Sequence, residues 1–207
     1  MLPARLSDRN LLTNRHNIKL DALRKFIENY TSLPTDEWRQ ISDCFEQRVF
    51  EKDEVILQEG KVCKYLYFVE SGLFHFYINK DGNNITKFFT EAPYFFTSQA
   101  SFNSQKPANE NIQAIEKSVV WQISYSQVNE LYKLKSWTDF ARKIIQEVQF
   151  FTEQILEELQ TETAEFRYEK MLKNEPELLK RIPLKFLASY LGIAPQSLSR
   201  IRKKIAT

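Results

Sequence analysis

The fold of this chain is decided by the stretch Pro183-Leu-Lys-Phe-Leu-Ala-Ser-Tyr-Leu-Gly192-Ile-Ala-Pro195-Gln-Ser-Leu-Ser-Arg200-Ile-Arg-Lys-Lys-Ile205-Ala-Thr207. Apolar residues recur at helical spacing on both sides of a glycine, which predicts two short amphipathic helices. Gly192 can adopt the left-handed conformation that ends a helix, and Pro195 suits the first turn of the next one. Two helices joined by such a short turn, with the small Ala188 at their crossing, are typical of a helix-turn-helix.

The second of these helices carries the candidate binding residues. Between Ile182 and Thr207 there are five basic residues and no acidic one, whereas the whole chain has 29 basic and 27 acidic residues. Charge concentrated in this way is typical of a DNA-binding module. The alternative is a helical hairpin that only packs a core and leaves its basic face in solvent. When the apolar stripe is turned inward, the outward face consists of Gln196, Ser199, Arg200 and Lys203.

Length and composition bound the other possibilities. A chain of 207 residues with 43% hydrophobic content can form one large core or two small ones. Four glycines are too few for a glycine-rich nucleotide cradle, and no apolar run approaches the roughly 20 residues that a membrane-spanning helix needs. The first 20 residues lack the apolar core of a secretory signal, so we expect a cytoplasmic protein without membrane partners.

Cysteine and histidine are scarce. Cys44 and Cys63 are too few for a cysteine-ligated iron–sulfur cluster, and we interpret them as reduced, partly buried thiols, with a redox pair as the alternative. His16 and His75 lie far apart in the sequence, and we interpret them as surface or strand residues. We therefore expect no metal and no cofactor.

Short β-rich runs alternate with turns in the middle of the chain. Strands are predicted at 48–50, 55–58, 65–70, 73–79, 84–90 and, with a break, 111–124. Asp81-Gly82 between two alternating runs is a strong hairpin signal. Many short strands at this spacing predict a small antiparallel barrel or sandwich.

Helical spacing predominates on both sides of this region. Helices are predicted at 19–30, 35–45, 125–133 and 163–181, and a long helix at 136–160. The seam predicted on the long helix consists of Ile144, Val148, Phe151, Ile155 and Leu159, whose steps approach a coiled-coil pattern. Phe140, Ile145, Thr152 and Leu156 widen this stripe. We interpret the seam as a dimer contact, and a core helix within a single chain is the alternative.

Several short motifs follow one another in a fixed order. They are Phe50-Glu-Lys-Asp-Glu-Val-Ile-Leu-Gln-Glu-Gly60, Leu66-Tyr-Phe-Val-Glu-Ser-Gly72, Leu187-Ala188, Leu191-Gly192-Ile193 and Leu198-Ser-Arg200-Ile201. Together with the order of the elements they resemble the Crp/Fnr family of bacterial transcription regulators over residues 20–207. The resemblance implies an α+β fold with an N-terminal antiparallel β roll of the cyclic-nucleotide-binding type, a long dimerisation helix and a C-terminal winged helix-turn-helix. We expect a lead-in at 1–18, a sensor domain at 19–134, the dimerisation helix at 135–160 and a DNA-binding domain at 161–207.

The resemblance also assigns roles to single residues. It implies that Gln196, Ser197 and Arg200 contact base edges. Ser199 and Lys203 would flank them, and Lys185 would meet the DNA backbone. The predicted DNA-binding set is therefore Lys185, Pro195, Gln196, Ser197, Ser199, Arg200 and Lys203. The implied partners are double-stranded DNA, a second copy of the chain, RNA polymerase and an unidentified small-molecule effector.

The effector cassette departs from the family pattern. Members that bind cyclic AMP carry Gly-Glu-Leu for the ribose and Arg-Ser for the cyclic phosphate, whereas this chain has Thr97-Ser98-Gln99 and Ala108-Asn109 at those positions. Loss of the arginine removes charge-assisted hydrogen bonds worth about 1.5–3 kcal/mol each, and Glu110 would repel a phosphate further. The sequence therefore predicts no response to cyclic AMP.

Aromatic residues crowd this cassette, and two interpretations stay open. The rings either fill the pocket, which we favour, or they form an aromatic site for a different effector. The predicted effector pocket consists of Phe89, Phe96, Thr97, Ser98, Gln99, Ala108 and Asn109.

The sequence favours a homodimeric, DNA-binding transcription regulator. The alternative is a ligand-sensing module that acts through protein contacts and has vestigial DNA binding. We do not expect an enzyme, because no carboxylate pair, nucleophile–base set or metal cluster stands out at usable spacing.

Overall fold

Residues 20–205 of this computed structural model are described, and they fold into a β roll flanked by helices. The predicted lead-in and His16 lie outside the described residues. The helices are α1 (Asp21–Glu28), α2 (Thr35–Ser42), α3 (Gln99–Ser104), α4 (Tyr125–Leu131), α5 (Lys135–Thr161), α6 (Ala164–Asn174), α7 (Pro176–Arg181), α8 (Leu184–Leu191) and α9 (Pro195–Ile205). The strands are β1 (Glu46–Phe50), β2 (Val55–Leu57), β3 (Tyr65–Ser71), β4 (Leu73–Lys80), β5 (Asn83–Glu91), β6 (Tyr94–Phe96), β7 (Asn111–Ala114) and β8 (Ser118–Ser124).

Two four-stranded antiparallel sheets form the roll, in the orders β1-β8-β3-β6 and β2-β7-β4-β5. The predicted hairpin between β4 and β5 is confirmed. Asp81 and Gly82 both have positive φ, at 53° and 79°, as a tight turn matching the twist of two paired strands requires. The sequence missed β6 and α3, because three and six residues are too few to display a clear period.

The first helices and the start of α5 pack on the sheet that contains β3 and β6. Phe26 of α1 lies 5.5 Å from Phe68 of β3, and Phe140 of α5 lies 5.3 Å from Phe95 of β6, measured between ring centroids. The backbone N–H of Ser136 donates to a carboxylate oxygen of Glu37 at 2.9 Å, which satisfies one of the donors left open at a helix start. These contacts hold the N-terminal half of α5 against the roll.

The rest of α5 extends beyond the roll. This helix has 27 residues, and its fully buried side chains all lie in its first two turns. The hydroxyls of Tyr30 and Tyr94 donate to the two carboxylate oxygens of Glu147, at 2.8 and 3.2 Å. Burial and the nearby Glu147 raise the pKa of Tyr30 to about 12, so this hydroxyl remains a donor at neutral pH.

The helices after α5 enclose a second hydrophobic cluster around Tyr168, Leu179, Ile182 and Leu198. The single helix predicted at 163–181 is divided at Pro176, which is the first residue of α7. A proline is tolerated there because the N–H of the first helical residue has no partner within the helix. Between residues 162 and 205 the structure contains helices and no strand, so the wing that the resemblance implies has no counterpart in this segment.

Candidate nucleic-acid interface and effector cassette

The turn between α8 and α9 is set by Gly192, which has φ 72° and ψ 26°. The N–H of Gly192 donates to the carbonyl of Ser189, and the N–H of Ile193 donates to the carbonyl of Ala188, both at 3.0 Å. This pair of bonds is the Schellman pattern that closes a helix end. Arg167 adds a third bond, from Nη2 to the carbonyl of Leu191 at 2.7 Å. The turn between the two helices is therefore held by two backbone hydrogen bonds and one side-chain hydrogen bond.

The exposed face of α9 carries most of the predicted DNA-binding residues. Leu198 is fully buried, and Ile201 is half-buried beside it. The structure brings the predicted residues together on the solvent side, where Pro195, Gln196, Ser199, Arg200 and Lys203 are exposed and Ser197 is half-buried. Lys185 is exposed on α8, with Nζ 5.1 Å from the centroid of the Phe186 ring.

The start of α9 has a weak cap. The carbonyl of Ala194 accepts from the N–H groups of Ser197 and Leu198, at 3.0 and 3.1 Å, which makes Ala194 the N-cap. An alanine there offers no side-chain oxygen to the free N–H groups of the first turn. Those N–H groups point out of the helix start, where they can donate to an anion such as a phosphate.

Helix α8 is docked on β5, an edge strand of the roll. The hydroxyl of Ser189 accepts from the N–H of Thr86 and donates to the carbonyl of Asn84, both at 3.0 Å. One side chain thus satisfies a donor and an acceptor of an exposed strand edge. Arg181 adds ion pairs to Glu116, at 2.6 Å, and to Glu91 of β5. This contact could not be predicted from local patterns, because Ser189 lies about a hundred positions from Asn84 and Thr86 in the sequence.

His75 lies at the same junction. It is fully buried on β4, its Nε2 lies 2.8 Å from Oγ1 of Thr86, and its ring stacks on Phe186 of α8 at 4.2 Å. Burial, reinforced by the positive charge of Lys185, lowers the pKa of His75 to about 4. The imidazole is therefore neutral at physiological pH.

The cassette region is occupied by a hydrogen-bonded carboxylate. Glu110 is 5% exposed, and it accepts from the hydroxyl of Ser98 at 2.6 Å and from Nζ of Lys87 at 2.5 Å. Ser98 and Glu110 are thus joined across the cassette by a bond within the protein. A buried carboxylate at this place disfavours an anionic ligand.

The other predicted pocket residues are held by the protein or face solvent. The hydroxyl of Thr97 donates to the carbonyl of Tyr65 at 2.9 Å, and the N–H of buried Ala108 donates to the carbonyl of Lys61 at 2.8 Å. Gln99 and Asn109 are exposed.

Phe89 does not share a pocket with Phe96, and its placement corrects the predicted set. Its ring lies 5.6 Å from both His75 and Tyr190, on the face of the roll that contacts the C-terminal helices. The reason is strand alternation, since Phe88 points into the roll and its neighbour must then point out.

The interior of the roll is filled by rings. Phe96 stacks on Tyr67 at 4.9 Å and lies 4.6 Å from Phe74, and Phe76 stacks on Phe88 at 4.1 Å. Phe74, Phe76 and Phe96 are at most 5% exposed. Of the two interpretations of these aromatics, the packing favours the filled one.

The predicted seam of α5 is divided between two faces. Ile144 and Ile155 are half-buried, and Phe151 and Ile155 line a cavity of about 250 Å³ between the helix, the roll and α6. Within the predicted seam, Phe151 and Leu159 stay 58% and 53% exposed and Val148 is half-buried. Ile145 and Leu156, which widen the stripe, are 47% and 56% exposed.

Cys44 and Cys63 are both free thiols, and Cys63 is buried. In residues 20–205 no set of three or more His, Cys, Asp or Glu side chains is arranged to hold a metal ion. No helix among the described ones has the length and apolar character needed to cross a membrane.

The described residues thus combine a β roll, a long helix and a helix-turn-helix that is docked on the roll. Residues 47–135 match the family described as "Cyclic nucleotide-binding domain". No curated protein sequence matches the chain.

Solved structures share nearly the whole fold. A Eubacterium rectale protein assigned to the crp/fnr family of transcriptional regulators superposes with a TM-score of 0.67 at 19% identity, covering 86% of this chain and 88% of that one. FixK2 from Bradyrhizobium japonicum gives 0.66 at 19% identity, with coverages of 78% and 84%. The c-di-GMP-responsive regulator CLP of Xanthomonas campestris gives 0.63 at 17% identity, with coverages of 84% and 92%. The chain therefore has the Crp/Fnr fold, and the expected fold class is confirmed.

Proposed function

We propose that this protein is a homodimeric transcription regulator that binds a palindromic DNA site through α9 and does not respond to cyclic AMP. The observation that carries the proposal is the exposed polar and basic face of α9, which is held outward by buried Leu198 and by the Gly192 turn. No acidic side chain lies on α9 to oppose a phosphate backbone.

The DNA contact can be tested with one arginine. Genome-wide mapping of occupied DNA first supplies the half-site, and fluorescence anisotropy then measures affinity for it. Arg200→Ala should weaken binding by about 1–3 kcal/mol and relax the preference at one base pair, because a bidentate contact to guanine is lost.

Arg39→Ala is the matched control, because Arg39 is exposed on α2 and belongs to no predicted DNA contact. It should bind like the wild type. If Arg200→Ala bound the operator as tightly as the wild type, Arg200 would not contact the DNA. A binding constant that did not change with salt concentration would favour the alternative, a sensor that acts through protein contacts.

The dimer is supported by the exposed stripe Ile145, Val148, Leu156 and Leu159, which extends along the part of α5 that leaves the roll. With Thr152 between Val148 and Leu156, these positions follow one another at steps of three or four residues, which suits packing against an identical helix. Two copies of α9 related by this axis would enter successive major grooves about 34 Å apart, which requires a palindromic site.

Leu156→Lys should convert a dimer into a monomer, because a lysine in the centre of the stripe places two like charges against each other across a two-fold axis. Sedimentation equilibrium measures the change in mass. Phe150→Lys is the control, since Phe150 is more exposed, at 63%, but lies off the stripe. A wild-type mass that is monomeric at working concentration, or dissociation by both variants alike, would contradict this dimer.

A further inference from the structure

A cavity of about 730 Å³ opens between the first strands of the two sheets, and no residue of the predicted effector pocket lines it. Ligand pockets usually enclose about 300–1,000 Å³. Buried side chains contribute to its lining, since Phe50, Leu57 and Tyr67 are each 6% exposed. The cavity is therefore a formed feature of the roll, large enough for a small organic molecule.

The mouth of this cavity is positively charged. Arg48, Lys61 and Lys64 all line it and are exposed, and none of them forms an ion pair with a carboxylate in residues 20–205. Glu46, the carboxylate in the lining, is engaged by Nε2 of Gln122 at 3.0 Å. Three cations against one hydrogen-bonded carboxylate favour an anionic ligand.

Tyr67 supplies a hydrogen-bond donor in the lining of the cavity. Although the residue is 6% exposed, its hydroxyl has no hydrogen-bond partner among the described residues. Burial raises the pKa of Tyr67, with nearby Arg48 opposing the shift, so the hydroxyl stays protonated and free to donate. The ring of Tyr65 lies 6.1 Å from that of Tyr67, which adds a second aromatic surface.

We propose that this cavity binds a small organic anion with a planar ring, whose charge lies among Arg48, Lys61 and Lys64 and whose ring lies against Tyr65 and Tyr67. The site is separate from the cassette but shares a wall with it. Tyr67 stacks on Phe96, and the carbonyl of Tyr65 accepts from the hydroxyl of Thr97. A ligand in this cavity would therefore contact two residues that pack directly against β6 and the cassette segment.

Isothermal titration calorimetry of the full chain tests the site, with 4-nitrophenyl phosphate as the probe. The probe should bind, and 4-nitrobenzyl alcohol, which has the ring without the charge, should bind much more weakly. Inorganic phosphate, which has the charge without the ring, should also bind more weakly. The absence of measurable heat at millimolar probe would overturn the proposal.

Two variants locate the binding. The double variant Lys61→Gln/Lys64→Gln should lower the affinity for the probe by about tenfold, because charge-assisted contacts are lost. Tyr67→Phe should lower it by about fivefold, because one hydrogen bond is lost. Lys80→Gln, an exposed lysine on the β4–β5 hairpin, should bind like the wild type. Equal affinity in all four proteins would place the probe elsewhere and overturn the assignment. Since no DNA is present, these outcomes are independent of the proposed DNA-binding function.

Discussion

The cassette and the outward face of α9 are opposites in their use of polar residues. In the cassette, Ser98, Lys87 and Glu110 satisfy one another, and aromatic rings occupy the space behind them. On α9, Gln196 and Arg200 extend into solvent. The comparison indicates that a polar side chain can bind a ligand only where the fold has not already given it a hydrogen-bond partner within the protein. Mutations in the two regions should therefore affect different measurements.

The largest effect should come from the interior of the roll. Phe96→Ala should destabilise the protein by about 3–5 kcal/mol, because it removes a buried ring and leaves a cavity. Urea denaturation followed by tryptophan fluorescence measures the loss. Phe150→Ala, at an exposed position, should change the stability by less than about 0.5 kcal/mol. A small loss at Phe96 would mean that this region is loosely packed and could admit an effector.

Acidification should produce the next largest effect, through His75. Its pKa is lowered to about 4 in the folded protein from 6.5, so the unfolded chain binds more protons between these values. The contribution of neutral His75 to the free energy of unfolding is fully present above pH 6.5 and is lost as the pH falls towards 4. It amounts to at most about 3 kcal/mol.

Urea denaturation at pH 7 and pH 5 measures this dependence, with His75→Gln as the comparison. The variant should lose less stability than the wild type between these two values. Identical pH dependence in both proteins would show that His75 is not the group responsible.

The smallest effect should be that of cyclic AMP. Calorimetric titration should show no binding at micromolar concentrations, since the resemblance places Ala108 where cyclic-AMP-binding members carry an arginine, and buried Glu110 adds a carboxylate nearby. Thermal unfolding in the presence of the nucleotide should likewise show no shift. Micromolar binding would contradict the view that the polar side chains of the cassette are fully engaged within the protein, because the cassette would then have to open.

Much of the fold could be predicted because its signals are local. Gly192 with its flanking apolar stripes predicted α8 and α9, and Asp81-Gly82 predicted the β4–β5 hairpin. A glycine that can take positive φ, alone or after an Asp, marks a turn within a few residues, so no tertiary contact is needed to recognise it. The outward face of α9 followed from the period of the helix alone.

The rest depended on residues that lie far apart in the sequence. Helix spacing placed Ile144, Phe151 and Leu159 on one seam, but only the packing on the roll decides that Ile144 is half-buried while Phe151 and Leu159 stay exposed. Phe89 was assigned to a pocket with Phe96, whereas strand parity directs it to the opposite face. A pattern of apolar residues states that a face is buried and does not state what covers it.

The sequence by itself determined that this chain has a β region, a long helix and a basic helix-turn-helix, because periodicity, turn residues and charge are properties of neighbouring positions. Only the tertiary structure decided that Glu110 pairs with Ser98 and Lys87 in the cassette, that α8 is docked on β5 through Ser189, and that Tyr67 lines a charged cavity. These features join strands and helices that are distant along the chain. Their energies come from burial and from pairing, which exist only once the elements have packed together.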